Sequence, residues 1–407
     1  MLARVRAVIS GVNRSNGAVP RADLHTAGSP HAGRMRIVHL AFEDWRKPGS
    51  GGGAVRTREV AERLAPRHDV TLLVTPYRGA RPRIERGVRY IPVGYPLGYW
   101  GGIVSYFLAV PFVARRLEAD LVVEDFAAPI GSVLPRLWTR RPVVAVVQWL
   151  NAKEKAAQYH LPFHLVEAMG VRSHREFVAM SRDLAGKIRE GNVSARIAVI
   201  PNGVPAAAFT VSTPRGDDVL YLGRLEIAQK GLDLLLTAIA AVRHQLPGRL
   251  VLAGDGPDRK ILRSRVERLG LSDRVTFLGR VDGDDKLRLL AGARVVAMPS
   301  RFETFGMVAA EALACGTPVV AFEIPSLREV VAPGTGILVP AFDVNAFAEA
   351  LVALATDTAR ILELGARGRE HARSYDWDQI AEQQEQVYRR ATTEQAMGSA
   401  GEKLGGR

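Results

Sequence analysis

Cysteine is almost missing from this chain of 407 residues, with Cys315 the sole example. An internal disulfide and a thiolate metal centre are thereby excluded, and a reducing interior is the compartment that fits. Cys315 stands between Ala314 and Gly316, where a small buried residue is wanted in place of a reactive thiol. The chain also lacks an unbroken apolar run near its start. Arg4 and Arg6 interrupt the opening stretch, which leaves no core for a secretory signal. Excess positive charge is missing from the second half. Residues 206–407 hold 25 Lys and Arg against 26 Asp and Glu, whereas residues 1–205 hold 30 against 16, a balance of +14. That asymmetry points to an anionic partner for the first half, such as a phosphate-bearing acceptor, a membrane surface or nucleic acid, or else to an arginine-rich solvated face.

What is present is alternation. "RIVHLAF", "DVTLLVT", "RYIPV", "DLVVED", "PVVAVVQ" and "EFVAMS" are short β-branched runs separated by helical stretches. This is the mark of a parallel sheet with covering helices. A second series follows "IAVIPNGV": "DVLYLGR", "GRLVLAGDG", "RVTFLGR", "ARVVAMPS", "TPVVAF" and "GILVP". The pattern predicts two doubly wound α/β domains with a hinge at Pro201–Pro205, and there is no solenoid repeat. Residues 1–34 read as a disordered or non-native extension, with Met35 a second candidate start. Residues 392–407 read as a disordered tail.

In open parallel sheets, ligands sit beyond the carboxyl ends of the strands. "LGRLEIAQKG" follows one strand and supplies Gly223, Arg224 and Lys230. "AGDGP" follows the next with Gly254 and Gly256, "FLGR" the third with Arg280, and "PSRFETFG" the fourth. Glycines there let the backbone approach a ligand closely. Gly306 opens a helix through "MVAAEALA", so the N–H groups of Gly306, Met307 and Val308 form an anion site. With Arg224 and Lys230 opposite, a diphosphate fits without a metal. Glu303 and Glu311, eight positions apart in an almost uncharged stretch, flank that anion. Phosphate repels carboxylates, so these two are placed to accept hydrogen bonds from hydroxyls. They bracket a nucleotide-sugar.

Taken in order, the Glu303/Glu311 pair, Arg224 with Lys230, "AGDGP", "FLG", "PNGV" and the closing "YDWDQIAEQQEQVYRRA" resemble a family 4 retaining glycosyltransferase across residues 35–391. The resemblance implies the GT-B fold: α/β, with two doubly wound, parallel-sheet (Rossmann-like) domains facing a central cleft. Residues 35–204 would bind the acceptor, 205–377 the nucleotide-sugar donor, and 378–391 would form a helix crossing back. Transfer of a sugar to a hydroxyl with retained anomeric configuration is implied. Glu311 would hold the ribose hydroxyls, Glu303 the donor sugar, and Arg224 and Lys230 the departing diphosphate. Thr304, Phe305, Gly306, Met307 and Val308 would line the donor loop, and Gly52 and Gly53 would meet the donor phosphate. Arg280 favours a UDP-sugar over a GDP-sugar. No metal and no other cofactor is implied. One departure stands out: where many members carry a histidine after the strand "PVVAVV", this chain has Gln148, then Trp149, Leu150 and Asn151. Gln148 can hydrogen-bond a sugar hydroxyl but cannot act as a base. In the route proposed for the family, the leaving phosphate accepts the acceptor's proton.

Three other motifs lead elsewhere and are set aside. "GSGGGA", Gly49 to Ala54, satisfies a dinucleotide pattern, but its strand ends several residues earlier and the next strand carries no acid for a ribose. Asp282-Gly283-Asp284 imitates a metal-binding D-x-D but suits the start of the helix "DKLRLLA". His160 and His164 are four apart, with Pro162 between them and no carboxylate pattern after.

The stretch Val93 to Val113 has no charge and approaches a membrane span in length. Pro96, Pro111 and several glycines break it, so a crossover helix with an exposed aromatic lip is expected, and Tyr95, Tyr99 and Trp100 become acceptor candidates. The partners expected are a nucleotide-sugar and a hydroxyl acceptor, either small or lipid-linked, with no nucleic acid. The placement is cytoplasmic or peripheral on the inner face of the plasma membrane. Other readings are a sugar phosphorylase, a nucleotide-sugar epimerase or a non-catalytic nucleotide- or carbohydrate-binding protein. Nucleotide binding separates the first, and slow donor hydrolysis the last.

Overall fold

The computed structural model describes residues 33–126, 130–150, 152, 156 and 160–404, with side chains as far as residue 395. The chain forms two compact units, one of residues 33–180, 184–200 and 381–404, the other of 181–183 and 201–380.

Unit one is built on eight strands: β1 (Arg36–Leu40), β2 (Asp69–Val74), β3 (Arg83–Glu85), β4 (Val88–Pro92), β5 (Leu121–Phe126), β6 (Val143–Val147), β7 (Glu176–Ala179) and β8 (Arg196–Val199). They lie in the order β3-β4-β2-β1-β5-β6-β7-β8. All pair in parallel except β3 with β4. Central strands such as β6, "VVAVV", are buried throughout, as a sheet covered on both faces requires. Strand β3 was not anticipated. Its hairpin turns on Arg86 and Gly87, both at positive φ (47° and 80°), which is the backbone of a two-residue primed turn. The "RG" dipeptide was the readable signal.

Unit two has six strands, β9 (Val219–Leu222), β10 (Leu250–Ala253), β11 (Val275–Gly279), β12 (Val295–Met298), β13 (Val319–Phe322) and β14 (Gly336–Val339), in the order β11-β10-β9-β12-β13-β14. Every pairing is parallel. The order reverses between β9 and β12, so the crevice beyond their carboxyl ends is the expected ligand position.

Two of the sequence motifs meet in unit two. A Cβ on Gly203 of "PNGV" would lie 2.3 Å from Cδ2 of Trp377, and Val204 N–H donates to the Tyr375 carbonyl at 2.8 Å. Gly203 is therefore a packing requirement against the indole. The helix that follows runs Trp377–Leu404, beyond the expected 378–391 and into the stretch read as a tail. From residue 381 on it belongs to unit one and bonds within it. Arg56 donates to Gln384 at 2.7 Å, and Arg390 to Glu176 at 3.0 Å.

Glu385 is the centre of that anchor, taking Arg67 at 2.5 Å and Arg389 at 2.7 Å. Burial alone would raise its carboxyl, but Arg67, Arg389 and His68 hold it down at about 2 from an ordinary 4.5. The ion pairs therefore stabilise the fold above about pH 4.5, and the contribution is lost as pH falls through about 2. Glu385→Gln is expected to lower Tm at neutral pH and to match the wild type near pH 2. Thermal melts across that range check it, and a constant difference at every pH would contradict it.

Candidate functional site

The reversal point of unit two holds the expected charged residues. Lys230 ends the loop after β9, and Glu303 lies in the loop after β12. Lys230 Nζ donates to Glu303 Oε1 at 2.6 Å, and Ser300 Oγ donates to the same oxygen at 2.8 Å. Gly231 makes this meeting possible. It sits at φ +63°, and a Cβ there would be 2.0 Å from the Pro299 carbonyl oxygen. The two loops are then tied by Arg301, whose guanidinium pairs with both Asp233 oxygens at 2.8 Å and whose N–H donates to the Gln229 carbonyl at 2.9 Å. Bidentate pairs of this kind fix geometry as well as charge.

Arg224 stands elsewhere on the same rim. It is 64% exposed and reaches Glu226 at 3.1 Å. Its carbonyl accepts from the buried Tyr221 hydroxyl at 2.7 Å, and burial raises that phenol's pKa, keeping it a donor. A Cβ on Gly223 would lie 3.0 Å from the same hydroxyl.

Gly254 and Gly256 have a packing role that the sequence did not reveal. A Cβ on Gly254 would be 1.8 Å from the Gly223 carbonyl oxygen, and one on Gly256 would be 2.4 Å from that of Leu225. The close approach is between neighbouring strand-end loops, so each glycine is required by the packing of those loops. Phe305 is likewise turned inward, 5.5 Å from the Tyr375 ring and edge-on.

Gly306 does open a helix, Met307–Ala314, at φ +98° and with no side-chain cap. Its first N–H groups have no intrahelical acceptor, so the end with Met307 and Val308 is a natural anion seat. Glu311, within this helix, is only 4% exposed. Its Oε1 accepts from Lys286 Nζ at 2.7 Å. Burial, followed by the nearby Glu311 charge, pushes the Cys315 thiol up to about 12, which fits a structural cysteine. The helix Gly283–Gly292 begins after Asp282 as expected, yet the Asp282 carboxylate makes no cap bond. It holds Arg280 at 2.7 Å instead. Among the described residues, no group of three or more His, Cys, Asp and Glu is placed to hold a metal ion.

Unit one gathers a second set. Gln148 follows β6 and presses on Gly53, where a Cβ would lie 2.3 Å from Gln148 Oε1. Its amide donates to Thr57 at 3.3 Å, Thr57 donates to Asp125 at 2.8 Å, and Asp125 meets His39 at 2.9 Å. Gly52 and Gly53 begin the helix Gly52–Leu64. Trp149 is half-buried beside Gln148, and Asn151 lies outside the described residues. Tyr95, Tyr99 and Trp100 sit apart in sequence at the exposed start of the helix Gly98–Ala114, which runs through Pro111. Trp100 stacks on Phe163 at 6.1 Å and Lys47 lies over Tyr99 at 5.6 Å.

Residues 216–357 match the family model described as Glycosyl transferases group 1, and residues 50–208 that described as Glycosyltransferase Family 4. A phosphatidyl-myo-inositol mannosyltransferase of Mycobacterium leprae is 37% identical over 325 residues, covering 75% of this chain and 83% of the relative. The chain is a family 4 glycosyltransferase. A D-inositol 3-phosphate glycosyltransferase of Xylanimonas cellulosilytica is 35% identical over 409 residues, 88% of this chain and 96% of its own. The solved sucrose-phosphate synthase of Thermosynechococcus elongatus superposes with a TM-score of 0.75 at 25% identity, over 87% of this chain and 98% of that one. The fold of this glycosyltransferase is accordingly GT-B.

Ser300, Arg301, Asp233 and Lys286 were not singled out from the sequence of the glycosyltransferase. The first two lie inside "PSRFE" and the third just after "KG", so proximity to the motifs was a usable signal. Lys286 carried none, being one lysine on an amphipathic helix.

Proposed function

We propose that this glycosyltransferase moves a hexosyl group from a nucleoside diphosphate sugar, with uridine ahead of guanosine as the base, to a hydroxyl of a phosphate-bearing acceptor, with retention and without a metal. The observation that carries the reading is the Lys230–Glu303 contact of 2.6 Å at the reversal point of the second sheet. An ammonium has three protons, and Glu303 uses one, leaving two for phosphate oxygens. The second Glu303 oxygen is left to accept from a sugar hydroxyl. As the glycosyl–oxygen bond breaks, negative charge grows on the diphosphate, where Lys230, Arg224 and the helix start at Gly306 stabilise it. The acceptor's proton passes to the leaving phosphate oxygen. In unit one, Gln148, bonded to Thr57 at 3.3 Å, is assigned to a hydroxyl of the acceptor. Arg280 at the exit of β11 supports the uridine preference.

For the acceptor, the +14 balance of residues 1–205 supports an anion. Two relatives are named for inositol bearing phosphate, one as a lipid and one free. Incubation with UDP- and GDP-sugars and phosphorylated inositols tests the reading, with the product's anomeric configuration read by NMR. An inverted product, or release of a sugar 1-phosphate in place of the nucleoside diphosphate, would overturn it.

A second reading, in which the acceptor is lipid-linked and the enzyme works at an anionic membrane surface, is favoured by one specific feature. Trp100, Val104, Leu108 and Phe112 recur every fourth residue along one exposed face of the helix Gly98–Ala114. Leu165 and Met169 are exposed on the helix that starts at Phe163, where Trp100 stacks. No described helix is long and apolar enough to cross a membrane, so attachment would be peripheral. Lysines and arginines near an anionic surface add about 1 kcal/mol each. Flotation with anionic liposomes is expected to carry the protein at low salt and to fail as salt rises. Leu108→Glu with Phe112→Glu is expected to weaken it. A protein left unbound at low salt contradicts this second reading and leaves the soluble acceptor.

A further inference from the structure

Glu311 is a carboxylate sunk into an apolar helix, and Lys286 is what sustains it there. An uncompensated buried carboxylate is costly. The Lys286 ammonium meets it at 2.7 Å, with side chains 24% and 5% exposed respectively. Lys286 arrives from the helix Gly283–Gly292, which follows β11, while Glu311 arrives from the helix after β12. The contact therefore links two strand-end segments of the donor unit, 25 residues apart. It also differs from the neighbouring Lys230–Glu303 pair. There the lysine faces the diphosphate seat, whereas Lys286 is paired with the carboxylate assigned to the nucleoside.

We propose that Lys286 is a positioning residue for the nucleotide's ribose. It takes Oε1 of Glu311 and leaves Oε2 as a fixed acceptor for a ribose hydroxyl. Buried ion pairs add little net stability over apolar residues of similar volume. The value of this one lies in the orientation and charge of the acceptor oxygen. The inference rests on the nucleotide-sugar reading above and assigns one more residue to that site.

The test is calorimetric, with UDP, GDP and their 2′,3′-dideoxy counterparts as the probes. The wild type is expected to bind one ribonucleotide about tenfold more tightly than its dideoxy form, the size of one charge-assisted hydrogen bond. Lys286→Met is expected to erase that preference by weakening the ribonucleotide alone. Lys286→Arg is expected to retain most of it. In a Glu311→Gln background, Lys286→Met is expected to add nothing, since the two act as one unit. Lys286→Gln provides the same comparison if the methionine variant fails to fold. Retention of the wild-type preference in Lys286→Met, or equal weakening of both nucleotide forms, overturns the inference. Wild-type protein that binds neither UDP nor GDP is a different failure, since it overturns the nucleotide-sugar reading itself.

Discussion

Lys230→Ala is expected to lower kcat/KM for the sugar donor by about a hundredfold or more, with the fold intact. Two effects act in the same direction. The first is loss of a charged donor to a group whose negative charge grows in the transition state, which costs on the order of 3 kcal/mol, roughly a hundredfold. The second comes from Glu303, which loses the partner now at 2.6 Å and retains only Ser300 at 2.8 Å. Its carboxylate then faces the diphosphate uncompensated and repels it. Lys230→Arg is expected to recover part of the loss, because it restores charge but not the compact ammonium that fits beside Ser300. Excess chelator is expected to leave wild-type turnover unchanged. Steady-state kinetics with and without EDTA check both statements. Turnover that vanishes with chelator and returns with magnesium would contradict the assignment of diphosphate charge to Lys230, Arg224 and the helix start.

Glu303→Gln and Glu311→Gln are expected to fail in different ways, and both strongly. Glu303 shares one oxygen between Lys230 and Ser300, and in the proposed reading its other oxygen would serve the transferred sugar. Its amide variant is expected to bind free nucleoside diphosphate with nearly wild-type affinity and to lose about a hundredfold in kcat. Glu311 is buried on the helix itself and paired with Lys286, and the proposed reading assigns it to the nucleoside. Its amide variant is expected to weaken free nucleoside diphosphate by about tenfold. Calorimetry and kinetics on the two variants separate the roles. Equal loss of nucleotide affinity in both would contradict the division.

The meeting of Lys230 and Glu303 was legible because strand-end position alone carries information in a doubly wound sheet. Lys230 and Glu303 are 73 residues apart, yet each follows a strand flanking the point where the order reverses, and they meet. Glu311 was legible because a charge in a run such as "MVAAEALA" is conspicuous. What could not be read was pairing between ordinary residues. Lys286 looks like any solvated lysine until the fold places its helix against that of Glu311. The glycines were legible as necessary but not as to why. Gly254 and Gly256 satisfy backbone-to-backbone contacts with Gly223 and Leu225, and no local pattern distinguishes that from ligand access. The partners of the last helix were hidden for a related reason. Gln384, Glu385 and Arg390 meet Arg56, Arg67 and Glu176, which are reached only through the fold.

The measurement that most directly tests the central claim, a nucleoside diphosphate sugar held at Lys230, is a thermal-shift comparison of wild type and Lys230→Ala against a panel of nucleotide-sugars and free nucleotides. A true ligand at a hundred times its dissociation constant adds about 2.7 kcal/mol to the folded state. The expected result is a rise in Tm of several degrees with one nucleoside diphosphate and its sugar, little rise with the matching monophosphate, and loss of the response in Lys230→Ala. A panel in which no nucleotide raises Tm, or in which Lys230→Ala responds as fully as the wild type, would contradict it.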